Sequence, residues 1–154
     1  MAEAQRRQND ISGDIMRIVL DTSVLVAALR SSDGGSAVIV RLAVDEELTL
    51  LMDLKLEMEY RDVALRRENL AAANLDSIEV GKLIDRLTTV AEEVRVDFKH
   101  RPLSVDQADD LVLDVAINGK AGVIVTHNMR HFAAAKSFGI AVMTPARLLV
   151  EMRG

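Results

Sequence analysis

The chain has 154 residues and carries 19 basic against 24 acidic side chains, a formal net charge of −5. This length suits one domain with a buried core, and the acidic balance argues against broad, non-specific nucleic-acid binding, which needs a basic surface. The absence of cysteine excludes disulfides, thiolate metal ligands and thiol chemistry. There is no apolar run of eighteen residues either, so we expect no transmembrane helix and a cytoplasmic protein.

The first fifteen residues are polar and show no periodicity. They lack the apolar segment of a secretion signal. We therefore expect a polar N-terminal tail over residues 1–15 and a single domain over residues 16–154, because no repeat, low-complexity segment or linker follows.

From Ile18 onward, short apolar segments alternate with amphipathic ones, a pattern typical of an α/β fold. The pattern predicts strands at residues 18–20, 48–52, 94–96, 123–125 and 140–143. It predicts helices at residues 24–30, 36–45, 55–65, 76–87, 105–118 and 145–151. An apolar strand with no polar alternation, such as the first, indicates burial on both faces of a parallel sheet.

Several helix ends carry local signals. The predicted N-caps are Ser36, Asp76 with Glu79 in a capping box, Ser104 with Gln107 in a second box, and Thr144 before Pro145. Residues 66–69 are predicted to break the third helix. Gly119 is predicted to end the fifth helix as a C-terminal glycine.

The first predicted strand ends abruptly in a carboxylate and two hydroxyls, Asp21 to Ser23. In open parallel sheets the ligand site lies at the carboxyl ends of the strands. The fourth predicted strand also ends in polar side chains, including Thr126 and Asn128. The sequence therefore predicts a polar site at this edge, with Asp21 at its mouth.

An acidic stripe runs along the predicted helix 105–118, where Asp106, Asp110 and Asp114 are spaced four residues apart. Like charges at this spacing destabilise a helix by roughly 0.2–0.5 kcal/mol per pair. The helix dipole favours acids in the first turn. Either this dipole or a solvated acidic face is enough to explain Asp106 and Asp109 without a functional role. The dipole accounts poorly for Asp110 and not at all for Asp114, so we expect Asp110 to converge with Asp21.

Glu59 lies one turn inside the predicted third helix and is expected to reach the same edge. Carboxylates grouped with hydroxyl and amide oxygens favour hard cations, Mg²⁺ or Mn²⁺. His127 and His131 are four residues apart, but no third ligand of matching kind accompanies them. We interpret both as surface or supporting residues rather than as a metal pair.

Five segments in order and spacing resemble the PIN-domain nucleases over residues 17–149, and among them the toxin components of toxin–antitoxin pairs. The segments are residues 20–23, 59–66, 110–121, 123–128 and 143–145. The resemblance implies a three-layer α/β/α sandwich with a five-stranded parallel sheet, and a metal-dependent endoribonuclease using Mg²⁺ or Mn²⁺. It also implies an RNA substrate, a cognate antitoxin partner and a homodimer.

Position by position, Asp21, Glu59 and Asp110 match the acidic triad that binds metal in that family. The fourth acid of the family corresponds to Asn128 here, and an amide is a neutral and weaker ligand. Asp114, one turn beyond Asp110, is a candidate to supply the missing charge. The alternative is a second metal ion that is weakly held or absent.

The resemblance also suggests roles for polar side chains around the acids. Ser23 and Thr126 are expected to hydrogen-bond the carboxylates or the scissile phosphate. Arg61, Arg66 and Lys120 are candidate contacts to the RNA backbone, although solvated surface charge is the simpler interpretation.

Two other functions compete with a ribonuclease. One is a PIN-like RNA-binding or regulatory module that has lost turnover, which the amide at Asn128 favours. The other is a phosphotransfer domain with an aspartate at a strand end. A phosphotransfer domain of the receiver type needs an acidic pair after its first strand, and it needs an aspartate after its third strand that becomes phosphorylated. Only Asp21 follows the first strand here, so this function is disfavoured.

Overall fold

The computed structural model describes residues 15–100 and 106–154, so the predicted tail lies outside it except for residue 15. The strands in this part of the chain are β1 (Arg17–Leu20), β2 (Thr49–Met52), β3 (Glu92–Glu93), β4 (Val123–Val125) and β5 (Ala141–Met143). The α-helices are α1 (Thr22–Arg30), α2 (Gly35–Val44), α3 (Leu54–Ala64), α4 (Arg67–Ala73), α5 (Ser77–Val90), α6 (Gln107–Asn118) and α7 (Pro145–Arg153). A 3₁₀ segment covers Met129–Phe138.

The five strands form one parallel sheet in the order β3-β2-β1-β4-β5. Helix α6 packs on β1, β2 and β4, whereas α5 packs on β2 and contacts α2, which in turn contacts α7. Helices therefore flank the sheet, and the predicted α/β/α sandwich with a five-stranded parallel sheet is confirmed.

The strand order reverses between β1 and β4, because the chain passes from β1 to β2 on one side and returns to β4 and β5 on the other. Leu20 is opposite Val125 in the register of this pair. Residues 18–20 of β1 and all of β4 are apolar and buried, as expected of central strands. In such sheets the crevice outside the carboxyl ends at this switch point is where ligands bind.

The third strand is displaced from its predicted position at residues 94–96. Glu92 and Glu93 pair with β2, and the Val94 N–H still donates to the Met52 carbonyl at 2.9 Å. The chain then leaves the sheet, since Asp97 and the residues after it bond to α6 instead. The apolar run at 94–96 therefore marks the end of the pairing rather than the strand.

Two predicted caps are confirmed. Asp76 accepts from the Glu79 N–H at 2.8 Å, while the Glu79 carboxylate accepts from the Asp76 N–H at 3.2 Å. Thr144 Oγ1 accepts from the Arg147 N–H at 3.2 Å, and Pro145 stands at the first helical position. These caps need only neighbours in the sequence, so local reasoning finds them.

Two other local predictions are wrong, and a third is confirmed only in part. Gly34, not Ser36, is the N-cap of α2, because the Ser36 side chain is buried and bonds to His127. Helix α3 ends at Ala64, as the predicted break requires, but a further helix that was not predicted, α4, begins at Arg67 after a short turn. Asp106 is the N-cap of α6, so this helix begins two residues later than predicted; Ser104 itself lies outside the described residues.

Gly119 ends α6 as predicted, but for a different reason. Its φ is −85°, so no left-handed conformation requires glycine there. A Cβ on Gly119 would stand 2.9 Å from Leu51 Cδ1, from Val94 Cγ2 and from the Val115 carbonyl oxygen. Glycine is required because the end of α6 approaches β2 closely.

Within the described residues, no single helix has both the length and the apolar composition needed to cross a membrane. Helices α1 and α2 meet that measure only as a pair, and they are bent by 107° relative to each other.

Candidate active site

Asp21 occupies the switch point of the sheet. It is the N-cap of α1, and its N–H donates to the Val125 carbonyl at 2.9 Å, which joins the end of β1 to the end of β4. Its side chain makes no capping bond to α1. An N-cap aspartate normally accepts a backbone N–H from the first turn of its helix. The Asp21 carboxylate does not, and it is available for other contacts.

Two hydroxyls hold the Asp21 carboxylate. Ser23 Oγ and Thr126 Oγ1 donate to its Oδ2 at 2.8 and 2.7 Å. Each hydroxyl oxygen accepts a backbone N–H in turn, from His127 at 3.3 Å and from Asn128 at 2.9 Å. Because the hydroxyl oxygens accept these N–H groups, their protons are directed to the Asp21 carboxylate, which accepts both hydrogen bonds. Within the described residues, no hydrogen bond engages Oδ1 of Asp21.

A cavity of about 760 Å³ opens at this edge of the sheet. Its acidic lining residues are Asp21, Glu59, Asp106 and Asp109, and its arginines are Arg30 and Arg66. Hydroxyl, amide and imidazole groups complete the polar lining, at Thr22, Ser23, Asn69, His127, Asn128 and His131. We call this space the acidic cavity.

Asp109 is the most perturbed carboxyl of the acidic cavity. It is 7% exposed, and its Oδ2 lies 3.1 Å from His131 Nδ1. Its pKa is raised to about 6, chiefly by burial and additionally by the charges of Asp106 and Asp21, while His131 opposes the shift. The cavity therefore holds more negative charge than its own side chains neutralise, which favours a bound cation.

Glu59 shows the same tendency more weakly. Burial raises its pKa, the charges of Asp62 and Asp106 add to the effect, and Arg66 opposes it. Glu59 and Asp109 come from different helices, α3 and α6, so the fold itself brings these acids to one cavity.

Asp110 and Asp114 do not line the acidic cavity. They line a second space of about 530 Å³ together with Lys55 and Lys99. We call it the lysine-side cavity. Oδ1 of Asp114 accepts the His100 N–H at 2.9 Å and thereby holds the segment that follows β3. The structure thus brings together Asp21, Glu59 and Asp109, and leaves Asp110 and Asp114 on another side of α6.

The face that α6 turns to the sheet explains this difference. Asp106 precedes the helix with extended backbone angles, so it does not follow the helical spacing to Asp110. Asp109 begins the stripe that continues through Val112 and Ala116, both fully buried. The sequence signal for Asp109, which the prediction from the acidic stripe missed, is its place at the start of a buried stripe with the spacing i, i+3, i+7.

A family model described as PIN domain matches residues 17–130, which is more than half of the chain. The chain belongs to the PIN-domain family. No curated protein matches the sequence in a direct comparison. PIN domains are generally nucleases, so membership indicates a hydrolase acting on nucleic acid at this level of detail.

The remaining predicted residues of this PIN domain are distributed unevenly. Asn128 and Arg66 line the acidic cavity. Arg61 does not; it forms ion pairs with Glu57 and Asp85 at 3.1 and 2.7 Å. Lys120 precedes β4 and therefore lies at the opposite edge of the sheet.

The two histidines bind different partners, and this argues against a histidine pair on one ion. His127 Nε2 is hydrogen-bonded to Ser36 Oγ at 2.8 Å, whereas His131 is paired with Asp109. Both rings line the acidic cavity and hold its neighbouring groups in position.

A divalent cation fits the donors of the acidic cavity. Across residues 15–100 and 106–154, no three His, Asp or Glu side chains stand close enough together to form a complete ligand set. Mg²⁺, however, is usually held by one or two carboxylates, with water and substrate oxygens completing its shell. The free Oδ1 of Asp21 and the electrostatically crowded Asp109 carboxylate provide that number of ligands.

Proposed function

We propose that this PIN domain is a metal-dependent endoribonuclease that hydrolyses RNA phosphodiester bonds, and that it is the toxin of a toxin–antitoxin pair. The observation that carries the proposal is the convergence of Asp21, Asp109 and Glu59, from three different elements, on one cavity at the switch point. Family membership supports a nuclease, and the resemblance to toxins supports the finer assignment.

In the proposed site, Asp21 and Asp109 would hold Mg²⁺ or Mn²⁺, and Asp109 would take the part that the family resemblance assigned to Asp110. A bound divalent ion would generate the nucleophilic water and stabilise the charge that develops on the phosphorus oxygens. Ser23 and Thr126 keep the Asp21 carboxylate in one orientation through their hydrogen bonds. Glu59 is available to orient or deprotonate the attacking water, because burial and neighbouring acids already raise its pKa.

The proposed antitoxin would cover the acidic cavity. Four acids line it, so a segment carrying arginine or lysine complements its charge. Induced expression of the chain should arrest growth, and co-expression of the adjacent reading frame should restore it. A homodimer belongs to the same proposal and is tested by light scattering of the purified chain.

The competing function is an RNA-binding or regulatory module without turnover, which Asn128 favours. Its amide lines the acidic cavity at the position of the fourth family acid, so the site has one negative charge fewer there. Such a module would bind RNA and leave it intact at every metal concentration.

The deciding experiment is a cleavage assay on end-labelled single-stranded RNA with Mg²⁺, with Mn²⁺ and with chelator. We expect cleavage by the wild-type chain with either ion, and none with chelator or with Asp21→Asn. The thermal unfolding of Asp21→Asn, followed by circular dichroism, verifies that this variant is folded. Intact RNA in all conditions, with measurable binding, would establish the competing function instead.

A further inference from the structure

The two arginines that line the acidic cavity, Arg30 and Arg66, differ in their partners. Arg30 Nη2 donates to Oδ1 of Asn69 at 2.6 Å, and within residues 15–100 and 106–154 its guanidinium makes no ion pair with a carboxylate. Arg66, which also lines the cavity, is paired with Asp62 at 3.0 Å. Arg30 is therefore held in position by a neutral group and keeps its full charge for a ligand.

Asn69 is built to present its oxygen to Arg30. Its Nδ2 donates to the Val63 carbonyl at 2.7 Å, so the amide has one orientation and its Oδ1 faces Arg30. Three helices contribute to this arrangement: α1 carries Arg30, α3 carries Val63 and α4 carries Asn69. Ordering a long side chain before binding reduces the entropy lost when the ligand arrives.

The position of Arg30 along α1 determines which part of a substrate it meets. Ser23, Ala27 and Arg30 lie on one face of α1 and line the acidic cavity. Seven residues of helix separate Ser23, beside Asp21, from Arg30, a rise of about 10 Å. A phosphate bound by Arg30 is thus not the one held at Asp21 and Asp109.

We propose that Arg30, positioned by Asn69, binds a phosphate of the RNA strand that flanks the scissile phosphate. This inference rests on the proposed ribonuclease function, and it assigns the strand a path along α1 from the acids to Arg30. The five N–H donors of a guanidinium suit a phosphate in a fork geometry, and the single bond to Asn69 leaves four of these donors for a ligand. Arg30 contributes to substrate binding, and Asn69 is its positioning residue.

The test measures RNA binding separately from cleavage. Binding of a short single-stranded RNA to the full chain carrying Asp109→Asn, which is expected to leave the strand intact, is followed by fluorescence anisotropy over a range of salt concentrations. Adding Arg30→Gln should weaken binding about tenfold and reduce the slope of log K against log salt by about 0.7, the value for one phosphate contact to a single strand. Adding Asn69→Asp, which places a carboxylate against Arg30, should have a similar effect.

Arg41→Gln is the matched control. Arg41 also stands near the end of a helix and bonds to a neutral group, the Ser32 carbonyl at 3.0 Å, but it does not line the cavity. The Arg41→Gln substitution removes the same charge as Arg30→Gln and should leave the slope of log K against log salt unchanged. Arg30→Lys retains the charge and should restore the slope while recovering only part of the affinity.

The inference is overturned if Arg30→Gln and Arg41→Gln give the same salt slope. In the otherwise wild-type chain, Arg30→Gln should raise KM for RNA about tenfold with little change in kcat, since the lost contact is remote from the reacting phosphate. RNA cleavage with no effect of Arg30→Gln would refute the phosphate contact and leave the ribonuclease intact. Binding that depends on Arg30 without any cleavage would refute the ribonuclease and leave the contact intact.

Discussion

Asp109 and Asp110 are neighbours on α6 and are both buried, yet they line different cavities. Asp109 faces Asp21 and His131 at the switch point of the sheet. Asp110 faces the lysine-side cavity, where Asp114 holds the segment after β3. One step along an α-helix rotates the side chain by about 100°, and here that rotation separates two environments.

The comparison shows that an acidic helix can serve two purposes at once. Toward the sheet edge, burial and the neighbouring acids raise the pKa of Asp109, and His131 offsets them only in part. On the other side, Asp114 and Asn118 bond to backbone groups of residues 97–100 and fasten that segment to α6. The first arrangement favours a bound cation, and the second is typical of structural support.

The largest expected effect separates the two neighbouring aspartates. Asp109→Asn should reduce kcat for metal-dependent RNA cleavage by about 100- to 1,000-fold, because it removes a charged ligand from the reaction centre. Asp110→Asn makes the same chemical change on the next residue and should alter kcat only slightly. Single-turnover cleavage assays at saturating Mg²⁺ measure both. A larger loss of kcat in Asp110→Asn than in Asp109→Asn would instead identify Asp110 as the metal ligand.

The second prediction concerns the structural side of α6. Asn118 Oδ1 accepts from the Asp97 and Phe98 N–H groups at 3.0 and 2.9 Å, and its Nδ2 donates to the Phe98 carbonyl at 2.6 Å. Asn118→Ala removes these hydrogen bonds, which water replaces only in part at this exposed site, and should lower the free energy of unfolding by about 0.5–1.5 kcal/mol. Urea unfolding measures the loss. An unchanged midpoint would mean that the segment is not fastened through Asn118.

The third prediction uses pH to test the crowding of Asp109. Its pKa is about 6 in the folded chain against an ordinary 3.8, so ionisation of this group disfavours folding. The stability that protonated Asp109 contributes is complete below pH 3.8 and is lost as the pH rises through about 6. Asp109→Asn cannot ionise, so in chelator it should be more stable than wild type at pH 8 by on the order of 1 kcal/mol after allowance for solvent screening.

Denaturant unfolding at pH 4, 6 and 8 measures that difference, which should shrink towards pH 4. Added Mg²⁺ should raise the stability of wild type at pH 8 more than that of Asp109→Asn, since binding to the folded state stabilises it. A difference that does not vary with pH would show that the pKa of Asp109 is not raised in the folded chain.

The smallest effect is expected at Asn128. Asn128→Asp adds a charge to the lining of the acidic cavity and should tighten Mg²⁺ binding by about fivefold, which corresponds to one negative charge about 8 Å from a divalent ion in water. Calorimetric titration of the purified chain measures this, with Asn128→Ala as the control that removes the amide without adding charge. Equal affinities for wild type and Asn128→Asp would place residue 128 outside the metal's influence.

The sequence by itself determined the elements and the position of Asp21. Apolar runs of three to five residues identified four strands to within one residue. The N-caps at Asp76 and Thr144 were found because a cap bonds to residues only two or three positions away. The end of β1 was identifiable as a site because parallel strands share one carboxyl edge.

Only the tertiary structure decided which acids meet. The choice between Asp109 and Asp110 depends on the residue at which α6 begins and on the face that α6 turns to the sheet, and the start of a helix is poorly determined by local signals. The pairing of Arg30 with Asn69 joins α1 to α4 across 39 positions of sequence, and no periodicity predicts it. Contacts between distant elements follow from packing, so the chemistry of this site became specific only when the helices were placed on the sheet.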